Sequence, residues 1–185
     1  MALERLFEAS CAHEHAALLG ESPMWHPREQ VLYYCDIPGH KLHRLDPATQ
    51  ALDTWSFETD VACCAPARDG ALVLGMRDGF WRFDPASGRR ALIQPPAYDP
   101  ATERYNDGKC DSVGRFWCGT IYEPRDKPLA ALYCVDERGA LTRKAEGART
   151  GNGLAWSPDG RTMYWSDTKA HTVHAFHFDD ASGAI

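Results

Sequence analysis

The sequence predicts an all-β fold of the β-propeller type. Three observations carry this. A stretch repeats in register: Gly20, Trp25, Pro27, Tyr33, Asp36 and His43 match Gly151, Trp156, Pro158, Tyr164, Asp167 and His174, every pair 131 positions apart. A strand-like run that ends in an aspartate-led turn recurs along the chain, at the roughly 40–50-residue period of a four-stranded propeller blade. No window holds a 3.6-residue apolar period over three turns, so amphipathic helix is not expected. A β-sandwich is the alternative, but sandwiches do not repeat in register.

The elements follow in order. Val31-Leu32-Tyr33-Tyr34-Cys35 is β-branched and aromatic and stops at Asp36-Ile37-Pro38-Gly39. Lys41 to Leu45 alternates polar and apolar, turns at Asp46-Pro47-Ala48-Thr49, and resumes from Ala51 to Phe57. That is strand, hairpin turn, strand. Phe80 to Phe83 leads into Asp84, Ala131 to Val135 into Asp136, and Val173 to Phe178 into Asp179. An aspartate at a turn start bonds backbone N–H groups further along. A second series pairs turn glycines 70, 114 and 160 with buried-looking strands. The longest repeat contains an insertion, Glu123 to Leu129, rich in proline and charge.

Four repeats are expected, the fourth stopping at Ile185, just after the Gly183 turn. The expected organisation is a single partial propeller domain over 1–185. Residues 20–185 hold about four blade repeats, and the N-terminal segment 1–19 completes the last blade of a larger ring.

Composition narrows the function. A net charge of −6 argues against a nucleic-acid partner. No apolar run has the length of a signal peptide or a membrane span, so a soluble cytoplasmic protein with no membrane partner is expected. The seven cysteines include no Cys-x-x-Cys pair and read as small core hydrophobes. His13 with His15, and His174 with His177, lack the further ligands of a closed zinc site.

Three stretches sit where a blade's innermost strand should begin: Gly20-Glu21, Arg104-Tyr105-Asn106-Asp107-Gly108-Lys109 and Gly151-Asn152. Innermost strands line the central channel, so Glu21, Arg104, Asn106 and Asn152 are expected to converge at one mouth of it. A carboxylate and an amide oxygen suit a hard divalent cation. A guanidinium and a second amide suit a polyhydroxylated substrate. Each residue also has a plainer reading. Glu21 could accept backbone hydrogen bonds in a turn, Asn152 between two glycines could be a left-handed turn residue, and Arg104 could be a surface charge. Asp107, in an Asp-Gly pair, reads as a turn residue.

The chain resembles the SMP-30/gluconolactonase/regucalcin family of six-bladed propellers. The resemblance rests on Gly20-Glu21-Ser22-Pro23 with Trp25, on Arg104 to Lys109, on Gly119-Thr120, and on Gly151-Asn152-Gly153-Leu154 with Trp156-Ser157. It implies divalent-metal-dependent hydrolysis of a sugar lactone to the aldonic acid, gluconolactonase-like or arabinolactonase-like, by metal-activated water. It implies Glu21 and Asn152 as metal ligands and Arg104 and Asn106 as substrate-binding residues. Glu123 falls near an acidic substrate-side position of the family, although Pro124 breaks the pattern there. The implied cofactor is one divalent ion, calcium or zinc, with magnesium or manganese also compatible with oxygen ligands. The catalytic base, an aspartate in a later blade, is expected beyond Ile185. The implied partner is a small-molecule sugar lactone. A noncatalytic propeller that binds calcium or a partner protein is the alternative, because fold alone does not fix function.

Overall fold

The computed structural model describes residues 9–185, and every regular element in them is a strand. Four antiparallel meanders follow one another along the chain and are arranged as a propeller. The first holds β1 (Gly20–His26), β2 (Val31–Asp36), β3 (Lys41–Leu45) and β4 (Leu52–Ser56). The second holds β5 (Val61–Pro66), β6 (Leu72–Met76), β7 (Gly79–Asp84) and β8 (Arg89–Gln94). The third holds β9 (Glu103–Cys110), β10 (Phe116–Tyr122), β11 (Ala130–Val135) and β12 (Leu141–Ala148). The fourth holds β13 (Gly151–Trp156), β14 (Thr162–Asp167) and β15 (Thr172–His177). The first strands β1, β5, β9 and β13 contact one another across sheets, which makes them the inner strands.

The hairpin aspartates work as their turns require. Asp46 accepts the Ala48 N–H at 2.8 Å, Asp84 that of Ala86 at 3.0 Å, Asp136 that of Arg138 at 2.9 Å and Asp179 that of Ala181 at 2.9 Å. The Glu123–Leu129 insertion lies in the loop between β10 and β11. Residues 9–19 form no strand; residues 1–8, the rest of the segment expected to complete the last blade, lie outside the described residues.

The core sits between neighbouring sheets. Tyr33 and Leu42 of the first sheet pack on Leu72, Leu74 and Phe83 of the second. Phe80 and Cys63 of the second meet Tyr105, Phe116 and Tyr133 of the third. Trp117 and Leu132 of the third meet Leu154, Met163 and Trp165 of the fourth. Each such side chain contributes about 1.5–3 kcal/mol by leaving water. The repeat partners Trp25 and Trp156 differ in this respect. Trp156 packs on Trp117 and Phe178, whereas Trp25 is 47% exposed.

The cysteines behave mainly as core residues. Cys35, Cys63, Cys64, Cys118 and Cys134 are buried, and burial pushes the Cys134 thiol up to about 12. The Cys63 and Cys118 sulfurs lie 3.4 Å apart as free thiols.

One inner strand escapes the sequence pattern. β5 reads Val-Ala-Cys-Cys-Ala-Pro and buries its first five residues, so no polar side chain marks its start. The inner strands share an irregularity. Pairing with the next strand shifts between Glu21 and Met24, between Val61 and Cys63, opposite Cys118 to Thr120, and between Asn152 and Leu154. A bulge of this kind re-aims the side chains around it.

Candidate functional site

The bulges place the chemistry. Ser22 and Gly153, at equivalent repeat positions, both take φ of 50°. Such a left-handed residue turns the preceding side chain, Glu21 in one case and Asn152 in the other, away from the regular pleat. Asp107 of β9 bridges the two bulges: Oδ1 accepts from Ser22 Oγ at 3.2 Å and Oδ2 from the Gly153 N–H at 2.8 Å. This residue therefore joins the first, third and fourth sheets.

A pair of aspartates holds the approaches to β1 and β13. Asp36 accepts the Leu18 and Leu19 N–H groups at 3.1 and 3.0 Å. Asp167, its repeat partner, accepts those of Arg149 at 2.9 Å, Thr150 at 3.1 Å, Lys169 at 3.1 Å and Ala170 at 3.3 Å. Burial pushes both carboxyls up, but the converging N–H groups outweigh it and hold both below the ordinary aspartate range.

Glu21, Arg104, Asn106 and Asn152 line one cavity of about 380 Å³, within the range of small-molecule sites. Thr150, Thr168, Arg125, Lys169 and His171 complete its polar lining. Arg104 is fixed. Its Nη1 donates to the Tyr105 carbonyl at 3.0 Å and to Asn106 Oδ1 at 2.9 Å, and Asn106 Nδ2 donates to the Gly151 carbonyl at 3.0 Å. Burial lowers the guanidinium pKa, against the pull of Asp60 and Glu123, whose oxygens lie 3.8 and 3.6 Å from Nε.

Other groups in the cavity are uncommitted among the described residues. Asn152 Nδ2 donates to Thr168 Oγ1 at 3.1 Å, which leaves Oδ1 free. The Glu21 carboxylate makes no hydrogen bond or ion pair there, and the buried Thr150 Oγ1 has no partner. An unpaired polar atom in a buried position awaits a ligand or water. One carboxylate and one amide oxygen match the donor set of a hard divalent cation. No group of three or more His, Cys, Asp or Glu with metal-site geometry occurs among the described residues.

Glu123 adjoins the cavity behind Arg104, with Oε1 3.6 Å from the Arg104 Nε, without lining it. Both its oxygens are taken by Arg77, at 2.9 and 2.8 Å. This fork lowers its pKa. Asp60 accepts from the same arginine at 2.9 and 2.6 Å and from His40 at 3.1 Å. Sequence reasoning does not single out Asp60, Arg77, Arg125, Thr150, Lys169 or His171. The histidine has a signal that was there to be read: His40 and His171 are also 131 apart and share φ of 54° and 57°.

Comparison with known proteins shows the family. The family model for the SMP-30/Gluconolactonase/LRE-like region matches residues 19–185. The chain is 35% identical over 172 residues to a 6-deoxy-6-sulfogluconolactonase of Pseudomonas putida, covering 92% of this chain and 58% of that protein. It is 34% identical over 185 residues to a pentonolactonase of Haloferax volcanii, covering 100% of this chain and 60% of that protein. Among solved structures, a calcium-binding protein, regucalcin, from Agrobacterium tumefaciens superposes with a TM-score of 0.88 at 26% identity, over 94% of this chain and 58% of that one. The chain thus spans about three-fifths of the length of the relatives it matches. With β1, β9 and β13 opening on one cavity and the family model spanning nearly all of the chain, this protein belongs to the SMP-30/gluconolactonase/LRE-like family.

Proposed function

We propose that the intact protein hydrolyses a sugar lactone to the aldonic acid with the help of one divalent metal ion, and that the four sheets belong to a six-bladed ring. The observation that carries the reading is the pairing of two uncommitted oxygens, Glu21 carboxylate and Asn152 Oδ1, with a fixed guanidinium in one cavity. The lactonase names of the Pseudomonas putida and Haloferax volcanii relatives support the same chemistry.

Glu21 and Asn152 would hold the cation, calcium or zinc. When bound, such a cation supplies Lewis acidity toward a carbonyl and acidifies water. Arg104 orients the ester: its guanidinium is held by the Tyr105 carbonyl and Asn106 before any ligand arrives, so little ordering is left to the moment of reaction. It then stabilises negative charge as that charge develops on the lactone oxygen. Thr150 Oγ1 is free to bond a sugar hydroxyl. In the net reaction the oxygen of water joins the carbonyl carbon and the bond from that carbon to the ring oxygen breaks. The ring oxygen takes up a proton, and a hydroxy acid leaves, ionised at neutral pH.

The test is hydrolysis of glucono-, galactono- and arabinono-lactones by the intact protein, followed by acid release, with and without chelator. Chelation, Glu21→Gln and Asn152→Ala should each reduce turnover by about ten- to a hundredfold or more. Turnover indifferent to all three would refute the metal reading. Calcium uptake without turnover of any lactone would instead identify a binding propeller.

A further inference from the structure

The cavity carries more positive charge than a neutral sugar lactone needs. Its lining includes Arg104, Arg125 and Lys169 against one carboxylate, Glu21, in a chain whose net charge is −6. Arg104 has acidic neighbours in Asp60 and Glu123. Arg125 and Lys169 form no ion pair among the described residues, although acidic side chains are abundant in the sequence.

These two cations come from different loops. Arg125 lies in the insertion between β10 and β11, and Lys169 in the turn between β14 and β15. Both backbones are held. Arg125 takes φ of 57° and donates its N–H to the Tyr122 carbonyl at 2.9 Å. Lys169 donates its N–H to Asp167 Oδ1 at 3.1 Å. His171 adds a contrast. Its repeat partner His40 is paired with Asp60 at 3.1 Å, whereas His171 lines the cavity with no such acid beside it among the described residues. Two cations that reach one cavity from separate loops, with no acid paired to either among the described residues, make its potential favourable to an anion.

We infer that Arg125 and Lys169 select lactones that carry an anionic substituent, a phosphate, sulfonate or carboxylate, on the carbon chain away from the ring carbonyl. The inference rests on the lactonase reading and deepens it. Arg104 and the cation ligands lie on the inner strands and serve the reacting ester. Arg125 and Lys169 lie in the loops and serve the far end of the substrate. Charge-assisted hydrogen bonds give this recognition its strength.

The experiment compares gluconolactone with its 6-phosphate, its 6-sulfonate and the corresponding lactone acid, using the intact protein at low and high salt. At least one anionic lactone should exceed the neutral one in kcat/KM by about tenfold or more, through a lower KM that rises with salt. Replacing Arg125 and Lys169 together with alanine should lower the anionic-to-neutral ratio by about ten- to a hundredfold. The order among the three anions identifies the group recognised. Turnover of the neutral lactone with no anionic preference, or a ratio unmoved by the double substitution, would overturn the inference while leaving the lactonase reading intact. Turnover of no lactone of either charge would overturn both.

Discussion

Replacing Asp167 with alanine is the sharpest test of how the cavity is built. The carboxylate is buried and accepts four backbone N–H groups, two from the approach to β13 and two from the turn after β14. A hydrogen bond to an ionised group contributes about 1.5–3 kcal/mol. The four do not add. Lys169 and Ala170 are exposed, so their N–H groups regain water when the carboxylate goes, while those of Arg149 and Thr150 are more enclosed. The expected loss is about 3–4 kcal/mol, from two poorly rehydrated donors and a loosened turn. Asp167→Asn keeps one acceptor oxygen and should lose about half as much. The pH dependence fixes the cause. The folded carboxyl lies below its ordinary value of about 3.9, so its contribution is complete above that value and disappears as pH falls through the lower folded value. Urea unfolding followed by tryptophan fluorescence at neutral and strongly acidic pH measures both effects. The gap between wild type and Asp167→Ala should be wide at neutral pH and shrink in acid. Asp46→Ala, at an exposed hairpin turn, should shift the midpoint far less. A loss below about 1 kcal/mol at neutral pH, or a gap of the same size at both pH values, would refute the reasoning.

Two further outcomes are expected. Gly151→Ala should destabilise by about 1–3 kcal/mol, because a methyl group there would stand 2.8 Å from the Trp165 ring and 2.9 Å from the Thr120 carbonyl, where the third and fourth sheets meet; chemical denaturation checks this, and an unchanged midpoint would contradict it. Burial raises the Glu103 carboxyl against the stabilising hydrogen bond from Thr120 at 2.5 Å. Its charged form is therefore disfavoured in the fold, and stability present below the ordinary glutamate value is lost as pH rises through the folded one. Glu103→Gln should flatten that decline, which thermal melts between mildly acidic and neutral pH would measure.

The sequence made the fold legible because propeller sheets repeat and their turns need particular residues. The Asp46, Asp84, Asp136 and Asp179 turns, the 131-residue register and three inner-strand starts could all be read directly. The start of β5 could not, because a strand buried along its first five residues has no polar residue to announce it. At the site, Glu21, Arg104, Asn106 and Asn152 were visible as polar residues at strand starts, and the structure brings them to one cavity. Glu123 was grouped with them from its place in the chain, but it pairs with Arg77, 46 residues earlier, through a contact that only the packing of adjacent sheets creates. Arg125, Lys169 and His171 belong to loops whose convergence is a property of the assembled sheets, and no local pattern marks it.

Asp107 gives the site a calliper. Its two oxygens grip Ser22 and Gly153, the residues immediately after Glu21 and Asn152. The gap between Glu21 and Asn152 is thereby gauged by the length of one side chain that belongs to neither of their strands. In the metal site proposed above, that spacing would bear on which ion size fits, and a substitution at Asp107 in the third sheet would change it without altering Glu21 or Asn152.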